Sequence, residues 1–172
     1  VVVEGFEAGG HNGREETTTF TLIPMVKEKI KIPLIAAGGI ANGRGMLAAM
    51  VLGADGVQVG SRFAASVESS AHENFKKKIL ETKEGETQVT LKELAPVRLI
   101  KNKFYQDVQD LYAKCPTKEE LATLLGRARA KHGMFEGDLD EGELEIGQIA
   151  GLIHAIKPAA EIISEMITDY NL

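Results

Sequence analysis

The chain has almost no cysteine, no excess of positive charge and no long apolar run, and each shortage closes off a class of function. Cys115 is the only cysteine. An intrachain disulfide and a cysteine-held metal cluster are therefore excluded, and a reducing compartment is the simplest setting. Lys plus Arg number 20 against 25 for Asp plus Glu, a formal net charge of −5. A general nucleic-acid binder would carry the opposite balance, on a basic face. No apolar run approaches the roughly 20 residues of a membrane span. No signal peptide is read at the start, and the expected location is cytoplasmic. There is no GxxxxGK followed by Ser or Thr, and no GxGxxG, so neither a Walker loop nor a dinucleotide fold is indicated. The stretch "GDLDEG" hints at calcium, but position 12 counted from Asp138 is Ile149. The bidentate Glu of an EF-hand loop is missing, and the stretch reads as a solvated acidic turn. Internal repeats and low-complexity tracts are absent as well.

What is present is an ordinary globular composition. With 172 residues, 44% of them hydrophobic, the chain is long enough for a sizeable core. Its first part alternates strands and helices. "VVV" before Glu4 reads as a buried strand, Thr21 to Ile30 as a helix and Pro33 to Ala37 as a second strand. "GRGMLAAMVLG" reads as a helix ended by Gly53, and Val57 to Val59 as a third strand. Strand, helix, strand, helix, strand with glycine loops is the signature of a parallel α/β unit. From Ser66 to Lys131 the pattern predicts helices and no convincing strand. The segments "SAHENFKKKILET", "LAPVRLIKNKFYQDVQDLYAK" and "TKEELATLLGRARAKHG" are each expected as one helix. In the last of these Thr117 caps the start and Gly133 closes the end. "IGQIAGLIHAI" and "PAAEIISEMI" are expected as final helices, the second with Pro158 at its first position. The expected organisation is residues 1–65 as an α/β part, 66–145 as a helical insertion and 146–172 as a return onto the α/β part.

The chemistry-bearing residues gather at the predicted strand ends. Gly38 and Gly39 follow the second strand, and Gly60, Ser61 and Arg62 follow the third. One strand–helix–strand repeat separates the two loops, so both are expected on one edge of a parallel sheet, where the ligand crevice lies. Bare backbone there lets a phosphate approach closely. "EGFEAGGHNG" follows the first strand and sets Glu4, Glu7 and His11 on the same edge. Glu4 can accept a ligand's ring N–H or pair with a Lys or Arg. His11 is the side chain suited to proton transfer near neutral pH. His72 and His132 lie among charged helix residues. His154 is expected to be packed or paired in an apolar helix.

Four segments in order, "EGFEAGGHNG", "PLIAAGGIANGRGM", "LGADGVQVGSRFAAS" and "EGDLDEGELEIGQIAGLI", resemble the flavin-dependent family that contains nitronate monooxygenase (2-nitropropane dioxygenase) and the FMN-dependent enoyl-acyl-carrier-protein reductase II. The resemblance covers most of residues 1–70 and 135–155. It implies the C-terminal part, strands six to eight, of an FMN-binding TIM barrel with a helical substrate-binding insertion. It also implies that Gly38, Gly39, Gly60 and Ser61 hold the FMN phosphate, that Glu4 and Gln58 lie near the flavin, and that His11 matches the family's catalytic histidine. Within the family, "GHNGREETTTFTLIP", "GSRFAAS" and "PVRLIKNKF" resemble the reductase.

The resemblance leaves three functional alternatives. A reductase would use NADH or NADPH to reduce a 2-enoyl thioester. Arg98, Lys101 and Lys103 would then help to accept an acidic acyl carrier protein, or else form a solvated face. A monooxygenase would oxidise alkyl nitronates with oxygen and without a nicotinamide, with His11 as base toward a neutral nitroalkane. The third alternative is a non-catalytic phosphate-binding fragment. A homodimer is compatible with each. The chain lacks an initiator Met and opens inside a strand, so it is expected to be cut from a longer polypeptide. A three-stranded unit leaves a long open edge. The 172 residues alone are therefore expected not to form a stable, FMN-competent enzyme, and the first half of the barrel must come from upstream sequence or a second chain.

Overall fold

Three short apolar stretches build the first sheet. β1 (Val2–Glu4), β3 (Ile35–Ala37) and β4 (Gly56–Gln58) run parallel in the order β1-β3-β4. They belong to a computed structural model that describes residues 1–171. Parallel pairing needs a crossover between strands, and α1 (Thr19–Lys27) and α2 (Gly43–Val51) supply it. Asn42 caps α2 by accepting the Gly45 amide at 3.0 Å, and Gly53 follows its end at φ +113°. Val3, Ile23, Leu34, Ala36, Ile40 and Ala49 form the core between helices and sheet, and Ile162 and Met166 of α8 (Ala159–Tyr170) complete it. Among the described residues β1 and β4 each have a strand neighbour on one side only. No described helix is long and apolar enough to cross a membrane.

The second sheet was not expected. β2 (Gly10–His11), β5 (Thr87–Thr90) and β6 (Val97–Ile100) pair antiparallel in the order β2-β6-β5. The stretch read as wholly helical therefore contains two strands. All four residues of β6 are buried, so the segment has no alternation of period two, and periodicity cannot separate such a run from a helix. The single helix expected across "LAPVRLIKNKFYQDVQDLYAK" is β6 followed by α5 (Lys103–Tyr112), which starts where Asn102 accepts the Tyr105 amide at 3.0 Å.

The third expected helix is also two. α6 (Lys118–Leu125) opens on the predicted cap, with Thr117 and Glu120 accepting each other's amides at 3.2 and 2.7 Å. It stops before Gly126 and Ala128, both at positive φ, and α7 (Arg129–Met134) begins anew. Arg129 seals the break: its Nε donates to the Leu125 carbonyl at 2.8 Å and its Nη2 to that of Leu124 at 2.9 Å. Gly133 lies inside α7 and does not close it. "IGQIAGLIHAI" forms only a short 3-10 turn over Gln148–Leu152. His154 beyond it is exposed, not packed in a helix. Pro158 stands one place before α8, as its cap.

Arg98 ties the second sheet to the loop after β1. Its side chain is 1% exposed, which overturns the expectation that it could serve a carrier protein at the surface. The guanidinium donates to the Phe6 carbonyl at 2.8 and 3.2 Å, to Thr87 Oγ1 at 3.3 Å, and sits 4.6 Å from the Phe6 ring centroid. Arg98→Ala removes these bonds and leaves a void, so a loss of about 2–4 kcal/mol is expected. Denaturant titration of variant and parent in the complete protein measures it, and a change below about 0.5 kcal/mol, the range of ordinary surface changes, would refute the anchoring role.

Candidate active site

The carboxyl ends of β1, β3 and β4 open into one cavity of about 300 Å³. Glu4, Gly38, Gly39, Gln58, Gly60 and Ser61 all line it. These are the six residues the sequence assigned to a cofactor, and they come from three separate loops that the parallel register brings level. Gly38 turns the chain at φ +84°, and a Cβ on it would lie 2.8 Å from the Gly5 carbonyl oxygen. Gly60 differs. Its backbone, φ −96° and ψ −66°, suits any residue, and a Cβ there would meet nothing within 4 Å. The fold does not require glycine at position 60, so the open space is room for something else. Ser61 stands at the edge of this open space.

Among the other wall residues, Glu7 was expected on this edge, while Gly9, Glu145 and Gly147 had no part in the assigned site. Glu7 flanks the strand end as expected, but its carboxylate is engaged. Oε2 accepts the Thr19 amide at 2.9 Å and lies 3.0 Å from Thr19 Oγ1, which holds the start of α1 where a negative group is favoured. Gly9 and Gly147 touch backbone to backbone. A Cβ on Gly9 would fall 2.4 Å from the Gly147 nitrogen. The Gly147 amide donates to Ser61 Oγ at 2.9 Å, and the Gln148 amide to the Glu7 carbonyl at 2.9 Å. The 145–148 segment thus lies across the loop after β1 and the Gly60–Ser61 loop. "GELEIGQ" was a signal in the sequence, yet nothing local in it says which loops it crosses.

Arg62 does not join the cavity. It pairs with Glu165 of α8 at 3.0 Å. Lys101 donates to the Gly85 carbonyl at 2.7 Å, and Lys103 lies 2.8 Å from Asp107 and 2.5 Å from Glu141. His72 caps α4 (Glu73–Glu81) by accepting the Asn74 amide at 3.1 Å, and His132 Nδ1 lies 2.5 Å from Glu136. In the acidic turn, Asp138 accepts the amides of Asp140 and Glu141 at 3.1 and 2.9 Å.

His11 stands next door. It lines a second cavity of about 220 Å³ with Glu143, Glu145, Leu91, Leu94 and Val97. Pairing of Gly10 with Arg98 and of His11 with Val97 fixes its backbone, and Asn12 Nδ2 donates to the Ala8 and Gly10 carbonyls at 2.9 and 3.1 Å. Glu145 is a wall of both cavities. Burial raises its carboxyl above the usual range, and the charge of His11 opposes that rise. Partial burial also raises Glu4.

Glu143 is pushed up to about 7, first by burial and then by the like charge of Glu145, with Arg129 opposing. The folded protein keeps this proton above the ordinary 4.5, where the unfolded chain has released it. Stability must therefore fall as pH rises from about 4.5 to about 7, by a total on the order of 3 kcal/mol. Melting temperatures at pH 5 and pH 8 in the complete protein check this. Glu143→Gln should flatten the difference, and parallel curves for parent and variant would contradict it.

The nitronate monooxygenase family model matches residues 1–169. A probable nitronate monooxygenase of Staphylococcus aureus is 34% identical over 183 aligned positions, covering 99% of this chain and 50% of the relative. One from Staphylococcus saprophyticus is 38% identical over 146, covering 77% and 41%. Among solved structures, FabK from Thermotoga maritima superposes with a TM-score of 0.92 at 41% identity, over 99% of this chain and 54% of that one. Nitroalkane oxidase from Streptomyces ansochromogenes gives 0.78 at 28% identity, over 99% and 51%. The chain spans about half the length of the curated relatives it matches.

Proposed function

Since the chain belongs to the nitronate monooxygenase family, we propose that it is the C-terminal half of an FMN-dependent oxidoreductase that reduces 2-enoyl thioesters with NADH or NADPH. The observation that carries the flavin reading is the glycine cradle at Gly60, open where the fold would accept a side chain. The amides around Gly38, Gly39 and Gly60, with the Ser61 hydroxyl, would hold the phosphate. Glu4 and Gln58 would meet the ring. FMN, when bound, supplies the two-electron relay between nicotinamide and thioester.

His11 lies on the far side of Glu145 from the cradle, in a cavity with an apolar wall. There it would hold or deliver a proton at the substrate carbon or carbonyl. The greater identity and closer superposition with FabK, an enoyl-acyl-carrier-protein reductase II, than with nitroalkane oxidase support the reductase side. The family's other activity, nitronate oxidation, is the second reading, favoured by the family match itself. The unpaired edges of β1 and β4 are where the remaining strands of the barrel would join, from the longer polypeptide or from a second chain.

The deciding assay mixes the complete protein with NADH and crotonyl thioester under argon. NADH consumption that requires the thioester supports the reductase. Oxygen uptake with propyl nitronate and no NADH, without the first activity, would replace it with the monooxygenase. A complete protein free of flavin absorbance would sink both and leave a phosphate-binding role.

A further inference from the structure

The cavity that holds His11 is charged on one wall and apolar on the other. Leu91, Leu94, Val97 and Leu125 make the apolar wall. Glu143 and Glu145 make the charged one. Both carboxylates sit on the strip that crosses the sheet: Glu145 bridges to Leu99, and the Leu144 carbonyl accepts the Ile100 amide at 2.9 Å. Glu143 is 7% exposed. Arg129 also lines this cavity and keeps its positive charge, which it shares with the Glu141 carboxylate at 3.4 Å. Its N–H groups donate to the Leu124, Leu125 and Glu141 carbonyls, the last at 2.6 Å, and it lies 4.4 Å from the Phe104 ring centroid. At pH 8, above the value of about 7 to which Glu143 is raised, an anion entering here would meet two carboxylates against the one cation of Arg129, which Glu141 already partners, with His11 the remaining ionisable group.

We infer that this is the acyl cavity of the site, and that Glu143 and Glu145 restrict it to electrically neutral substrates with an apolar tail, turning away carboxylate and nitronate anions. The inference rests on the flavin reading of the neighbouring cradle. It predicts that a neutral thioester is taken in preference to an anionic nitronate. Glu145 is the shared wall, so a ligand in one cavity is felt in the other.

The test uses the complete flavin-loaded protein at pH 8, titrated with hexanamide and separately with hexanoate while the flavin spectrum is followed. Hexanamide is expected to perturb the spectrum, and hexanoate to bind at least about 30-fold more weakly, as like-charge juxtaposition demands. Replacing Glu143→Gln and Glu145→Gln together should bring the two ligands within about threefold of each other. Equal affinities in the parent, no spectral change with either ligand, or undiminished discrimination in the double variant would each overturn the inference. Should the double variant fail to hold flavin, Glu145→Gln alone is scored: discrimination reduced at least about fivefold supports the inference, and unchanged discrimination defeats it. Discrimination that persists while thioester reduction is absent would remove the reductase reading and leave the charge filter standing.

Discussion

Gly60→Val is expected to leave the protein folded and to cost it most of its flavin. The backbone at position 60 is in the ordinary right-handed region, and no atom stands within 4 Å of where a side chain would begin. The folded state should therefore change by no more than about 0.5 kcal/mol, as at other unstrained sites. The new methyls would project into the glycine cavity. Forcing extra carbons into a filled space costs about 1–3 kcal/mol, and 1.4 kcal/mol is a factor of ten in affinity. FMN binding should weaken about 10–100-fold, with Gly60→Ala in between. Flavin titration of the stripped protein, beside a melting curve, gives both quantities. Full flavin retention by the valine variant would show that the cradle does not hold the cofactor. Gly9 cannot serve for this test, because a Cβ there meets backbone at 2.3 Å and the fold itself would yield.

His11→Ala is expected to lower turnover by about 10²–10⁴-fold, the range for loss of a general acid or base, with flavin content unchanged. The two outcomes separate because His11 lines the second cavity and not the glycine one. Its backbone is held by β2–β6 pairing and by Asn12, so truncating the ring should disturb chemistry more than structure. Steady-state rates with a saturating thioester, together with the flavin spectrum, check both halves. Undiminished turnover would remove His11 from the mechanism. Loss of flavin along with activity would make it a structural residue of the cradle.

The glycine-lined half of the site was legible because its signals are local. A β-branched or alanine run followed by glycine marks the end of a buried strand, and two such ends one crossover apart must lie side by side in a parallel sheet. Gly38, Gly39, Gly60 and Ser61 could be placed together on that logic alone, and Glu4 and Gln58 followed through the resemblance. Arg62 shows where the logic stops. It sits next to Ser61, but its direction depends on Glu165, far away in the chain.

The remainder was decided in three dimensions. β5 and β6 are strands because they pair with each other and β6 pairs in turn with β2, and a short, fully buried run such as Val97–Ile100 carries no periodicity of its own. Arg98 reads as surface charge until Phe6 and Thr87 close around it. The Ser61–Gly147 bond and the double role of Glu145 arise where "GELEIGQ" folds back over loops more than 80 positions earlier. By itself the sequence determined the parallel α/β unit, its glycine-ended strands and the family that uses them, because strand ends and turns are set by neighbouring residues. Tertiary structure alone decided which carboxylates share a wall, which arginines are buried and that His11 and the cradle occupy adjoining cavities. Those facts depend on contacts between distant segments, and no local pattern encodes them.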